Sequence, residues 1–153
     1  MRQIPYVNLS AQWHAERRDL LPLLEQTLSE GKYVGGKEIE EFETAIAHFC
    51  ETGYAVALNS GTDALTFALH ALGVTSGDEV ITPPNSFIAS TAAIVHVGAH
   101  PVFVDVRADQ NIDTELIESA ITGRTRAIMP VHLTGRMADM GEVIRIAEKH
   151  NLH

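Results

Sequence analysis

The apolar positions change period along the chain, and each change marks an element. Leu20, Leu21, Leu24 and Leu28 share one helical face, which predicts a helix over about Asp19 to Ser29 with Pro22 held to its first turn. Ile39, Phe42, Ile46 and Phe49 predict a second helix, with Glu38, Glu40, Glu41 and Glu43 as a solvated face that suits the dipole of its first turns. Between them Gly31 to Gly36 reads either as a plain connector or as a loop that closes over a ligand. Ala55-Val56-Ala57-Leu58 reads as a short buried strand, and Ala64, Leu65, Ala68, Leu69 and Leu72 as a helix stopped by Gly73.

The same alternation continues. Glu79 to Thr82, Pro101 to Val104 and Ala127 to Val131 read as further strands. A helix from about Ile88 to Val97, capped by Asn85 or Ser86, follows the first of them. Asp113 caps a helix holding Leu116, Ile117, Ala120 and Ile121, and Asp139 begins one that runs to about His150. Four strands joined by helices predict an α/β fold, a mostly parallel sheet with helices on both faces. Ligands in such sheets bind at the carboxyl ends of the strands, where Asn59 to Thr62, Pro83 to Phe87, Asp105 and His132 to Arg136 would gather. After the last helix the next strand is due at Asn151-Leu152-His153, so the expectation is a truncated sequence.

Length and charge narrow the function. The 153 residues suffice for one domain, and 45% apolar with 20% charged residues is an ordinary globular composition. A net charge of −9 argues against a nucleic-acid surface, and no apolar run is long enough to cross a bilayer. Met1 to Pro5 lacks the plan of a signal peptide, and the single Cys50 forbids an internal disulfide, so a reducing cytoplasm is expected.

The candidate chemistry centres on Leu58-Asn59-Ser60-Gly61-Thr62-Asp63. A turn from strand to helix presents free N–H groups, Gly61 permits close approach and Thr62 adds a hydroxyl, all of which favour a phosphate. The alternative is that Ser60 or Thr62 only caps the helix. The turn carries neither the dinucleotide fingerprint, nor the Walker sequence, nor a nucleophile elbow around Ser60. The eight histidines fit no metal-ligand spacing, so no metal is expected. Phe87 is either core or a ring that stacks on a planar ligand, and His132 is either a locally satisfied loop residue or a catalytic one.

Five segments together resemble the DegT/DnrJ/EryC1/StrS sugar aminotransferases, fold-type I enzymes that use pyridoxal 5′-phosphate (PLP). They are Gly31 to Phe42, Ser60 to Leu65, Pro83 to Thr91, Pro101 to Val106 and Pro130 to Gly135, and the match covers nearly the whole chain. The resemblance implies the amino-terminal part of the PLP-binding large domain, with residues 1–36 as arm, helix and glycine loop, 37–153 as the α/β portion, and no small carboxyl-terminal domain. It implies that Ser60, Gly61 and Thr62 hold the cofactor phosphate and that Phe87 stacks on the pyridine. Tyr33, in the glycine loop, and His132 would meet substrate, and Asp63 would point away from the phosphate and help cap its helix.

The implied reaction moves an amino group, usually from L-glutamate, to a keto group on a nucleotide-linked sugar, in a homodimer. It needs a Schiff-base lysine and an acid paired with the pyridine nitrogen. Lys32, Lys37 and Lys149 are the only lysines and none follows a strand end, so both catalytic residues are expected outside this sequence and the chain alone is expected to be inactive. Two other readings remain. One is a non-catalytic phosphate-binding or interaction fragment. The other is a PLP-dependent sugar dehydratase relative in which histidine replaces the lysine.

Overall fold

The computed structural model describes residues 4–31 and 33–153, so Lys32 and the first three residues of the segment read against a signal peptide lie outside the described residues. The chain divides into two compact units, Met1–Ala57 and Leu58–His153.

In the first unit, α1 spans Leu9–Glu30 and α2 spans Lys37–Phe49. The α1 helix starts ten residues before its expected position, because Asn8 Oδ1 accepts the Ala11 N–H and so caps it. Only the second half of α1 carries an apolar stripe, so periodicity could not find the first half. Pro22 stands inside the helix, not in its first turn. Such a residue removes one rung of the hydrogen-bond ladder at a typical cost of about 3 kcal/mol. The leucines of α1 and Ile39, Phe42, Ile46 and Phe49 of α2 are exposed. Ala55 to Leu58 form no strand: a strand exists only by pairing, and here the Ala57 N–H donates to Glu43 Oε1, 2.7 Å away. That bond also takes Glu43 out of the purely solvated face expected for it.

The second unit is built on three strands, β1 (Glu79–Thr82), β2 (His100–Phe103) and β3 (Thr125–Ile128). They are parallel, in the order β2-β1-β3. Four helices accompany them: α3 (Gly61–Ala71), α4 (Ile88–His96), α5 (Thr114–Ala120) and α6 (Met140–His150). The period-2 alternation of the strands sorts the core into two layers. Val80 and Ala127 join Leu69 of α3 and Ala93 and Ile94 of α4, whereas Ile81 and Ile128 join Ile117 of α5 and Val143 and Ile146 of α6. Helices therefore cover both faces, as expected. Pro101, which has no N–H to donate, sits in edge strand β2.

Asp113 and Asp139 cap α5 and α6 as expected, with Oδ1 of each accepting a first-turn N–H. Neither Asn85 nor Ser86 caps α4: Phe87 occupies that position and makes no side-chain cap. Beyond α6, His153 N–H donates to Arg126 O and Ile128 N–H donates to His153 O, at 3.0 and 2.9 Å. These two bonds have the pattern of a parallel bridge on the side of β3 away from β1.

At the opposite end of the sheet, Glu79 is buried and accepts hydrogen bonds from Thr122 Oγ1 and from the Arg124 guanidinium. Those partners hold its carboxyl below the ordinary range, and the Thr75 N–H and Arg126 do the same for Asp78. A carboxylate whose pKa is depressed by folding adds stability above its unfolded pKa, ordinarily about 4, and that stability is lost as pH falls through the lower folded value. Glu118 and Glu142 shift the same way through Lys149 and Arg145. Acid unfolding followed by amide exchange is therefore expected to steepen below about pH 4, and Glu79→Gln is expected to flatten that dependence in part. An unchanged pH profile in the variant would show that Glu79 contributes nothing to it.

Candidate functional site

Because β1, β2 and β3 are parallel, the loops that follow them leave the sheet at one edge. The N-terminus of α3 lies at that edge too. At the far end, a Cβ on Gly98, just after α4, would meet Ser76, a few residues beyond α3, at 3.3 Å, so the C-terminal ends of α3 and α4 abut. The two helices pack against each other, with Leu65 and Leu69 of α3 in one cluster with Ala93 and Ile94 of α4. With 11 and 9 residues they run about 16 and 13 Å, which brings Ser60 to Thr62 to the same end as Phe87.

Ser60 is in extended conformation and its Oγ accepts the Asp63 N–H at 3.1 Å. The cap is thus closed by the backbone of Asp63, not by its carboxylate. The first N–H groups of a helix have no acceptor within it, so those of Gly61 and Thr62 are left at the positive end of the α3 dipole. A Cβ on Gly61 would meet nothing within 4 Å, and its backbone is not left-handed. Among the described residues nothing requires glycine there. Ser60 therefore caps α3, and the space beside Gly61 is open.

Phe87 is 76% exposed and Ile88 beside it is also exposed, which removes the core reading for that ring. An exposed aromatic ring and the N–H groups that open α3 thus lie at the same end of the second unit. A cleft of about 540 Å³ in the first unit, lined by residues including Glu40, Glu43, His48 and Tyr54, has the opposite electrostatic character, since its carboxylates would repel an anion.

Two asparagines that periodicity did not single out stitch the edge loops together. Asn85 Nδ2 donates to Gln110 O at 3.1 Å, joining the loop after β1 to the loop after β2. Asn111, only 2% exposed, donates through Nδ2 to Arg136 O and Met137 O and accepts the Leu133 N–H at Oδ1, joining the loop after β2 to the loop after β3. Thr82 Oγ1 adds a bond to Met129 O. The second loop is itself braced by an antiparallel bridge between Val106 and Ile112 and by the Arg107–Asp113 ion pair at 3.0 Å.

His132 is exposed in the third loop, and its Nδ1 accepts the Ala138 N–H at 3.1 Å. Asp105 accepts the Val106 N–H locally. The fold thus brings Ser60, Gly61, Thr62 and Phe87 to one end and places His132 on the same sheet edge. Tyr33 belongs to the first unit, where its hydroxyl donates to Leu28 O.

The described lysines are engaged elsewhere. Lys37 pairs with Glu41 at 2.7 Å, and that hydrogen bond raises its pKa, which keeps the amine protonated. Lys149 Nζ donates to both carboxylate oxygens of Glu118. Among the described residues no three His, Cys, Asp or Glu side chains are grouped as a metal would require, and no helix is long and apolar enough to cross a membrane.

Comparison with known proteins bears on the fold and the family. The chain is 43% identical over 152 residues to dTDP-3-amino-3,4,6-trideoxy-alpha-D-glucose transaminase of Streptomyces venezuelae, covering 99% of this chain and 40% of that enzyme. It superposes on the crystal structure of S. venezuelae DesV with a TM-score of 0.96 at 43% identity, over 100% of this chain and 42% of the other. The Bacillus subtilis NtdA structure with bound cofactor PMP gives 0.95 at 37% identity, over 99% and 35%. This chain therefore spans about 40% of the first relative's length. The sequence profile of one family matches residues 14–153. The chain belongs to the DegT/DnrJ/EryC1/StrS aminotransferase family.

Proposed function

We propose that this chain supplies the phosphate cup and ring-stacking face of a PLP-dependent aminotransferase that moves an amino group from an amino acid, L-glutamate in the simplest case, to a nucleotide-linked keto sugar. The observation that carries the reading is the N-terminus of α3, where Ser60 closes the cap and leaves the Gly61 and Thr62 N–H groups facing open space. The named activity of the S. venezuelae relative supports the sugar class.

In this reading the Gly61 and Thr62 N–H groups and the Thr62 hydroxyl hold the phosphate, and Ser60 keeps the turn in shape. The Phe87 ring orients the pyridine and shields one face of it from water. When bound, the cofactor supplies the electron sink through which an amino group is transferred. Tyr33 and His132 contact substrate. The Schiff-base lysine and the acid facing the pyridine nitrogen belong to sequence beyond these 153 residues, in a large domain of which this chain is the amino-terminal part. A homodimer in a reducing cytoplasm completes the reading.

The test is a titration of the protein with PLP, before and after borohydride, with peptide mapping of any reduced lysine. Saturable binding without a stable adduct is expected, with affinity falling about tenfold in Thr62→Ala and about fivefold in Phe87→Ala, in line with the loss of one charge-assisted hydrogen bond and of one aromatic contact. A stoichiometric adduct on Lys32, Lys37 or Lys149 would contradict the placing of the reactive lysine elsewhere. Binding unaffected by either substitution would contradict the site.

A further inference from the structure

We infer that Asn111 is a positioning residue that fixes His132 as an Nε2–H donor, so that His132 meets an acceptor oxygen of the ligand and cannot serve there as a proton-accepting base.

Three observations converge on this. The first is the buried amide. Asn111 spends its hydrogen bonds on both flanks of one loop: Oδ1 accepts the Leu133 N–H at 3.3 Å, and Nδ2 donates to Arg136 O at 3.3 Å and Met137 O at 3.1 Å. Asp109 Oδ2 lies at 3.5 Å from the same nitrogen. The orientation of the amide follows from its partners, because a flipped group would set NH2 against an N–H and oxygen against two carbonyls. A side chain this buried must keep those partners or incur the cost of an unpaired polar group.

The second observation is the strain in the loop it holds. Thr134 has φ 52° and ψ 27°, left-handed values that a β-branched residue rarely adopts, and Gly135 follows at φ 85°. Such a conformation persists only where the surroundings impose it. The turn is closed from within by Gly135 N–H donating to His132 O and Arg136 N–H to Leu133 O, and Asn111 holds residues 133, 136 and 137 from outside.

The third is the ring at the loop's start. His132 Nδ1 lies 3.1 Å from the Ala138 nitrogen, which is an N–H donor, so Nδ1 must offer a lone pair. In the neutral imidazole the proton then sits on Nε2. The ring is exposed and on the ligand-binding edge, and what it presents is a donor. Its two neighbours in this arrangement, residue 133 beside the ring and residue 137 beside Ala138, are both held by Asn111. Releasing Asn111 frees both ends of the contact that selects the tautomer.

A donor at Nε2 fits a phosphoryl or carboxylate oxygen, the groups that a nucleotide-linked sugar and an amino acid bring. The identity of that oxygen rests on the functional reading above, whereas the tautomer and its dependence on Asn111 do not.

The experiment is a long-range proton–nitrogen spectrum of the histidine rings at pH about 8, above the ordinary imidazole pKa, in the natural protein and in Asn111→Asp. The variant keeps the shape of the side chain and the Oδ1 acceptor but replaces the NH2 donor with an oxygen facing two carbonyls. His132 is expected to show the Nε2–H pattern in the natural protein, and in the variant to show ring nitrogens moved toward each other, the signature of tautomers in exchange. If Asn111→Asp fails to fold alone, the same substitution in a Thr134→Gly background, where the left-handed turn carries no strain, is compared with Thr134→Gly itself.

An Nδ1–H pattern in the natural protein, or an unchanged His132 ring in the variant, overturns the inference. Titration of the same samples with PLP separates it from the functional reading. A natural protein that shows the Nε2–H pattern but binds no PLP counts against the cofactor site and leaves His132 as assigned. Binding with a His132 ring indifferent to Asn111 does the reverse.

Discussion

Gly61→Asp is expected to weaken PLP binding about a hundredfold or more without weakening the fold. A carboxylate on that position would stand near the phosphate at roughly 5 Å, where like charges at an effective dielectric of about 20 repel by about 3 kcal/mol, and about 1.4 kcal/mol is a factor of ten in affinity. The fold should tolerate the change for two independent reasons. A Cβ at Gly61 meets nothing within 4 Å, and the residue opens α3. An acidic side chain there is favourable to the helix dipole. Gly61→Ala separates sterics from charge, since it adds the Cβ alone and should lose far less affinity. Binding would be measured by equilibrium titration of absorbance, with amide exchange in α3 as the check on folding. Equal, small losses in both variants would mean that the anion does not sit at the start of α3.

That turn was legible in the sequence because its determinants are local. A serine before a glycine, ahead of an apolar helical stripe, sets up cap, close approach and dipole within four residues, and Ser60 does cap α3. The parallel strands were legible for a similar reason, since Val80 and Ile81 are apolar on both faces and are separated by helices from the next strands. What could not be read depends on partners distant in sequence. Ala55 to Leu58 has strand composition, but a strand also needs a neighbour to pair with. Asn111 looked like any polar loop residue, and its three strongest contacts lie 22 to 26 residues away. The one local hint was Ile112, an apolar residue inside a polar stretch, which is buried and bridges back to Val106. Asn85 was misread for the related reason that an asparagine before a helix is so often its cap, and here its amide serves another loop instead.

The expected cost of Ile81→Ala tests whether the two core layers are what hold the second unit together. Ile81 is fully buried in the central strand and packs in the layer with Ile112, Ile117, Ile128 and Val143, while its neighbour Val80 faces the other layer. Removing three buried carbons from a position flanked by strands on both sides leaves a cavity that the backbone cannot close. The expected loss is about 3 kcal/mol, within the range of about 2 to 5 seen for such truncations, out of a typical total stability of about 5 to 15. Ile144→Ala on α6 is the matched control, because that side chain is 50% exposed and its loss should cost under about 0.5 kcal/mol. Amide exchange within β1 and α4 reports on the unit directly, whereas the tryptophan, Trp13, belongs to the first unit. If Ile81→Ala and Ile144→Ala lower protection equally, the layer beneath α5 and α6 is not the cooperative core, and the sheet's stability must come from the side covered by α3 and α4.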